Sequence, residues 1–341
     1  MGRRNKRYSK DLHQQAYEKL TGMQAFGQSK KEAVADGTEK DMIFSFNTYK
    51  TYFKHIKYFT KWIQEKYPEC TTLKAARRHV NEWLQSRVDQ VDEKGKHLSA
   101  WTIQTEAAAL NKLYQIDKAD PDRFQPPKRR KEDIIRSRGT KVRDRHFSEA
   151  NNEELINFCK GVGPRRNVLE KMKGSDLYDR ANVEAALVKA KAEDDVAMIK
   201  ACTDALKTFP DQDFFVLHRR DKGGKTRISP IVGPHKGKII ARMQATGPDE
   251  LVWRYVNSNC DVHGYRSDYA TYIYKQYARP IENLRFENKI KCADGKYRSE
   301  IYVCRGSEAG KKLDRRAIGV ISIALGHNRE DTAISNYVRN L

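Results

Sequence analysis

The stretch from 119 to 146 constrains the fold most. It contains DPDRFQPPKRRKEDIIRSRGTKVRDRH, with Pro121, Pro126 and Pro127, few apolar residues and a dense run of Lys and Arg. Proline lacks an amide proton and fixes its φ, so no helix or central strand can run through the first half, which should stay extended. A chain of 341 residues broken in this way is expected to hold separately cored domains on either side. Residues 119–146 are therefore read as a basic linker, with Lys128, Arg129 and Arg130 as candidate contacts to a DNA backbone.

Ahead of the break, residues 41–118 read as three helices free of interior proline. In the first, Tyr49, Tyr52, Phe53, Ile56, Phe59 and Ile63 recur at helical spacing, while Lys50, Lys54, Lys57 and Lys61 form a stripe on another face. One side can pack a core and the other can meet phosphates. The second helix carries Leu73, Ala76, Val80, Trp83 and Leu84 inside, with Arg77, Arg78 and Arg87 outside. The third uses Ile103, Ala107, Leu110, Leu113 and Tyr114. Residues 1–40 are basic and poor in large aliphatics, and read as an N-terminal arm or a small helical extension.

Beyond the break the pattern is mixed. A helix near 150–160 precedes GVGPRRNVLEKMKGSDL, and a helical stretch follows near 180–208. DFFVLHRR and TRISPIV flank the turn DKGGK, a hairpin signal. KIKCADGKYRSEIYVCR reads as a second hairpin around Asp294-Gly295. The final RRAIGVISIALGHNREDTAISNYVRNL is helical again. The fold class is therefore α+β, mainly α with small β-hairpins.

Lys and Arg total 66 against 45 Asp and Glu, a formal charge of +21. Such a balance favours polyanionic partners, because each neutralised phosphate releases condensed counterions. No apolar run approaches the ~20 residues that span a bilayer, and MGRRNKRYSKDLHQ lacks the apolar core of a signal peptide. A soluble, cytoplasmic protein with no membrane partner is expected. The six cysteines (Cys70, Cys159, Cys202, Cys260, Cys292, Cys304) show no CxxC pair or zinc-finger spacing and read as reduced, buried thiols.

Two nucleotide-binding motifs fail. GVG at 161–163 lacks its third glycine, and Gly224-Lys225-Thr226 has Arg219 where a P-loop needs its leading glycine. No compact Asp/Glu cluster suited to two metal ions is present, so neither metal nor cofactor is expected.

What remains is a set of basic residues and one tyrosine in order along the second half: Arg165, Lys222 at a hairpin tip, His263 and Arg266 in HGYRSDYAT, His327 in ALGH, and Tyr337 in ISNYV. These segments resemble the boxes of the tyrosine recombinases, the family of phage integrases and of the Xer and Cre enzymes. GVGPRRNVLEKMKGSDL is similar to the first box and aligns Arg165 with the first catalytic arginine. DKGGKTRISP resembles the lysine hairpin, giving Lys222 with Lys225 in reserve. HGYRSDYAT resembles HxLRHTFAT, and LGHNREDTAISNY resembles the third box ending in the nucleophilic tyrosine. Each box alone is weak, but the four occur in the family's order.

The resemblance implies a helical core-binding domain at 41–118 and a catalytic domain at 147–341, with insertions near 178–208 and 282–312. The insertions read as decoration more than as contact surfaces. It further implies that Tyr337 attacks a DNA phosphate to form a 3′-phosphotyrosine, without metal or ATP. Arg165 and Arg266 would hold the non-bridging oxygens with planar forks that lysine cannot reproduce. His263 and His327 would give hydrogen bonds or act as acid and base, and Lys222 would protonate the leaving 5′ oxygen. The implied partner is double-stranded DNA at attachment sites, bound by a homotetramer assembled from free monomers, with an accessory DNA-bending protein as a compatible addition. A telomere resolvase or a type IB topoisomerase uses the same tyrosine strategy, and a non-catalytic DNA-binding protein is the alternative of another class. The chain departs from the pattern at Val168, where the family carries an acid three positions after the arginine. It also ends four residues past Tyr337; were that end native, subunit coupling would run through other surfaces.

Overall fold

Ser45, Asp11 and Ser99 each cap a helix of the first half, their side chains accepting the backbone N–H of Thr48, Gln14 and Thr102. Such caps satisfy donors that the first helical turn leaves without partners. In a computed structural model of the chain, the structure describes residues 10–93, 95–127, 147–221, 224–292, 295–304, 308–327, 333–334 and 337–338. The chain divides into two compact units, Met1–Ser137 and Arg138–Leu341.

The first unit is helical: α1 (Leu12–Gly22), α2 (Lys30–Ala35), α3 (Phe46–Lys66), α4 (Leu73–Ala76), α5 (Val80–Asp89) and α6 (Ala100–Leu113). Its core joins Ile56, Phe59 and Ile63 of α3 to Val80, Trp83 and Leu84 of α5 and to Ile103, Leu110 and Leu113 of α6. The second helix expected from sequence is interrupted by a 3-10 turn at Arg77–His79.

Three expectations need correction here. Leu12, Ala16 and Leu20 lie on one face of α1 and are buried in the same core, so residues 12–22 form a helix, as the second of the two readings had it, and the unit begins ahead of residue 41. The linker starts later than its composition suggests. Phe124 is buried, and its backbone N–H and carbonyl bond the Asn111 side chain at 3.0 and 2.8 Å. Arg87 does not face outward as a cation for DNA but donates to the fully buried Glu106 from Nε and Nη2, with His55 on the same carboxylate. A buried carboxylate demands such a partner, and that need overrides the helical-wheel reading.

The second unit contains α7 (Glu153–Val162), α8 (Arg166–Leu169), β1 (Leu177–Asp179), α9 (Arg180–Ala192), α10 (Val196–Thr208), β2 (Phe214–Asp221), β3 (Lys225–Pro230), α11 (Lys236–Ala245), α12 (Val262–Tyr277), β4 (Lys289–Lys291), β5 (Tyr297–Ser299), β6 (Ile301–Val303), β7 (Lys312–Asp314) and α13 (Arg315–Ala324). β1, β2 and β3 form an antiparallel sheet in which Val216 pairs with Leu177 on one side and Ser229 on the other. Small antiparallel sheets among many helices make the chain α+β.

Both stretches expected as insertions are tied into this unit. The helical stretch near 180–208 is two helices, separated where Asp194 takes φ +51° and Asp195 caps α10. Val183, Ala201, Cys202, Ala205 and Phe209 share one apolar cluster with Phe215, Ile228, Ile273 and Ile318. The 282–312 segment is held by charge. Arg279 donates to Asp314 at 2.9 Å and to Glu300 at 3.0 Å, and the backbone of Arg285 and the side chain of Asn288 also bond Glu300. Those bonds break the expected single strand at Glu300, so β5 pairs with β4 while β6 pairs with β7. All six cysteines are buried and unbridged. Among the described residues, no helix is long and apolar enough to cross a membrane.

Candidate active site

The site is built where the ends of three helices meet. α7 stops at Gly163, whose φ of +60° is the left-handed conformation that ends many helices. A Cβ there would lie 2.3 Å from the Tyr269 ring, so glycine is required on space as well as on backbone angle. The turn releases Arg165, the residue preceding α8. α12 presents Arg266 and His263, and the end of α13 presents the Ala324 and Leu325 carbonyls and His327.

Arg266 is completely buried. Its Nη1 donates to the Gly163 carbonyl and its Nη2 to the Leu325 carbonyl at 2.6 Å. Its Nε is buried with no hydrogen-bond partner among the described residues. Burial, with the charges of Arg227 and Arg165, lowers its pKa to about 9. A guanidinium held this way is short of negative charge.

Tyr337 is the aromatic lid of this arrangement. Its ring centre lies 5.3 Å from the Arg266 guanidinium carbon, 5.0 Å from the His263 ring and 5.1 Å from the His327 ring. Arg165 donates from Nη2 to His327 Nε2 at 3.3 Å, while its Nη1 pairs with Asp221. Since arginine only donates, His327 Nε2 is the acceptor and Nδ1 carries the proton. Burial and the three arginines hold the His327 pKa down to about 3, so this ring is neutral at physiological pH. Its Nδ1 has no partner among the described residues.

Five residues expected from sequence therefore come together: Arg165, His263, Arg266, His327 and Tyr337. Lys222 lies outside the described residues, as do Lys128, Arg129 and Arg130; Lys225, the reserve candidate, is exposed at the start of β3. In the first unit Lys50, Lys54, Lys57, Lys61, Arg77 and Arg78 are exposed, with Lys61 loosely paired to Glu65.

Sequence reasoning missed three buried members. Arg227 on β3 donates to the Ala324 and Gly163 carbonyls, to His218 Nδ1 at 2.9 Å and to Asp221 at 3.2 Å. With Nδ1 accepting from Arg227, His218 carries its ring proton on Nε2, which donates to Ser229 Oγ at 2.8 Å. Burial first, then Arg227, push its pKa well below the usual histidine range. Asp221 bridges Arg165 and Arg227. Their signal was faint: each stands in the hairpin segment already singled out, as a polar residue beside runs of consecutive buried positions that show no alternation. Val168, where the family pattern has its acid, is instead packed among Leu155, Leu169 and Ile239.

Three guanidinium groups against the Asp221 carboxylate leave an excess of two positive charges around Tyr337. Planar donors and surplus positive charge of this kind suit an anion with several oxygens. Among the described residues no three His, Cys, Asp or Glu side chains gather to hold a metal ion. Comparison with protein-family models, with curated proteins and with solved structures gave no match for this chain.

Proposed function

We propose that the protein is a site-specific DNA recombinase that cuts and rejoins strands through Tyr337. The observation that carries this reading is the tyrosine ring packed over a buried, anion-deficient arginine, with Arg165 and two histidines beside it. An aromatic in that place has no structural need of three cations. A phosphodiester does, because its pentacoordinate transition state gathers charge on the non-bridging oxygens.

In the proposed step the Tyr337 oxygen attacks phosphorus, the P–O5′ bond breaks, and a 3′-phosphotyrosine is left. Arg165 and the Nε–H of Arg266 take the non-bridging oxygens. His327, neutral, gives a hydrogen bond from Nδ1. His263, exposed beside the phenol, takes the tyrosine proton, and Lys222 protonates the departing 5′ oxygen. The phosphotyrosine conserves the bond energy, so a second 5′ hydroxyl can reseal the strand without ATP. Two such rounds within a tetramer on two duplexes would complete strand exchange. The lysine face of α3, with Arg77 and Arg78, would contact phosphates of double-stranded DNA.

The test uses duplexes selected for binding from a random-sequence pool and nicked close to the cleavage point, so that a covalent intermediate is trapped. Wild-type protein should become joined to DNA at Tyr337, mapped by mass spectrometry, and Tyr337→Phe should bind equally but form no adduct. Absence of an adduct from wild type, or its persistence in Tyr337→Phe, would refute the reading.

A further inference from the structure

The structure assigns to Asp221 the positioning of Arg165: a carboxylate delivered by the β2–β3 hairpin orients the arginine that the recombinase reading places on the scissile phosphate. The inference rests on that reading and adds a residue to it.

Backbone geometry is the first observation. The register of β2 against β3 shifts between His218 and Asp221, and Arg220 in the shifted segment has φ +46°, a conformation rare outside glycine. Such a bulge reverses which face a side chain meets. Here it leaves Arg219 and Arg220 exposed and sends Asp221 inward, where it is 2 % exposed. Arg219 is secured outside by Asp176 at 2.6 Å.

Partner geometry is the second. One Asp221 oxygen meets Arg165 Nη1 and the other meets Arg227 Nε. Arg227 is itself locked to carbonyls at the ends of α7 and α13. Arg165, 21 % exposed, is the accessible member, anchored to that buried frame through Asp221 and His327. With Val168 packed in the core, the acidic support for Arg165 comes from a different element of the fold. Asp221 also directly precedes Lys222, so one bulge sets the base of the hairpin that carries the proposed acid.

The experiment measures single-turnover adduct formation on the nicked duplex for wild type, Asp221→Asn, Asp221→Ala, Arg165→Ala and Asp221→Asn/Arg165→Ala. Asp221→Asn retains an oxygen for Arg227 and decides the matter should Asp221→Ala not fold. DNA affinity of Asp221→Asn should stay within about twofold, while cleavage slows by roughly 10²-fold, the cost of misplacing a reacting group by about 1 Å. The double variant should be no slower than Arg165→Ala alone, because residues acting as one unit are non-additive. A duplex with a neutral methylphosphonate at the cleavage position should shrink the Asp221→Asn defect, since less charge then has to be held. Wild-type rates in Asp221→Asn, or fully additive losses with an equal defect on both substrates, would overturn the assignment. Failure of the recombinase reading is seen separately, as the absence of a Tyr337 adduct from wild type.

Discussion

Replacing Arg266 with methionine should stabilise the free protein while abolishing its cleavage of DNA. The arginine is wholly buried beside Arg227 and Arg165, and its pKa falls from the usual arginine range to about 9. At about 1.4 kcal/mol per decade, that depression is a penalty on the order of 5 kcal/mol on the charged side chain. Methionine would remove the charge and keep most of the volume and the contact with Tyr337. The change has its own cost. The Gly163 carbonyl would keep Arg227 as donor, but Leu325 would lose its bond from Nη2. One unpaired buried carbonyl costs about 1–3 kcal/mol, leaving a net gain on the order of 2 kcal/mol, as found when buried ions are exchanged for apolar groups. Because the chain has two units, a single melting curve would mix them. Hydrogen exchange of the α12 amides isolates the second unit, and those amides should exchange about 30-fold more slowly in Arg266→Met. Faster exchange, or retained adduct formation, would show Arg266 to be a strut of the fold and not a charge kept for a ligand.

Other perturbations follow from the same structure. His327 and His218 both have folded pKa values below their unfolded ones. Their contribution to stability is complete above about pH 6.5 and is lost as pH falls from there toward about 3 for His327. Each adds a slope of up to about 1.4 kcal/mol per pH unit, so His327→Asn should flatten the acid limb of the second unit's stability, measured by hydrogen exchange of the α12 amides at stepped pH; an unchanged limb counts against its burial as a neutral ring. Gly163→Ala should cost about 2–4 kcal/mol, combining the left-handed backbone penalty with overpacking against Tyr269, and hydrogen exchange of the α12 amides equal to wild type would contradict the placement of that ring. Lys54→Ala and Arg77→Ala should each weaken DNA binding about evenly across sequences and lower the slope of log K against log salt by about 1; an unchanged slope would take the first unit away from the phosphates.

Much of this was legible along the chain because it is local. Helical spacing marked α3 and α6, and the turn around 221–225 marked β2 and β3. The order of Arg165, Arg266, His327 and Tyr337 was visible for the same reason, since each sits in a short pattern of its own. What misled was also local reasoning: Arg87 looked solvent-facing on its helix, the stretch at 180–208 looked like an addition, and 119–127 looked like free linker. Each was corrected by a partner from elsewhere, namely Glu106, the Phe209 cluster and Asn111.

The sequence by itself determined the periodicities, the turn positions and the residue types able to bind an anion, because these depend on near neighbours and intrinsic chemistry. Only the tertiary structure decided that Arg266 is dry, that His327 is neutral, and that Asp221 pairs with both Arg165 and Arg227. Burial and charge pairing are set by groups brought close in space from α7, the β2–β3 hairpin, α12 and the end of α13. Coulomb energy and desolvation depend on those distances, and the order of residues along the chain does not contain them.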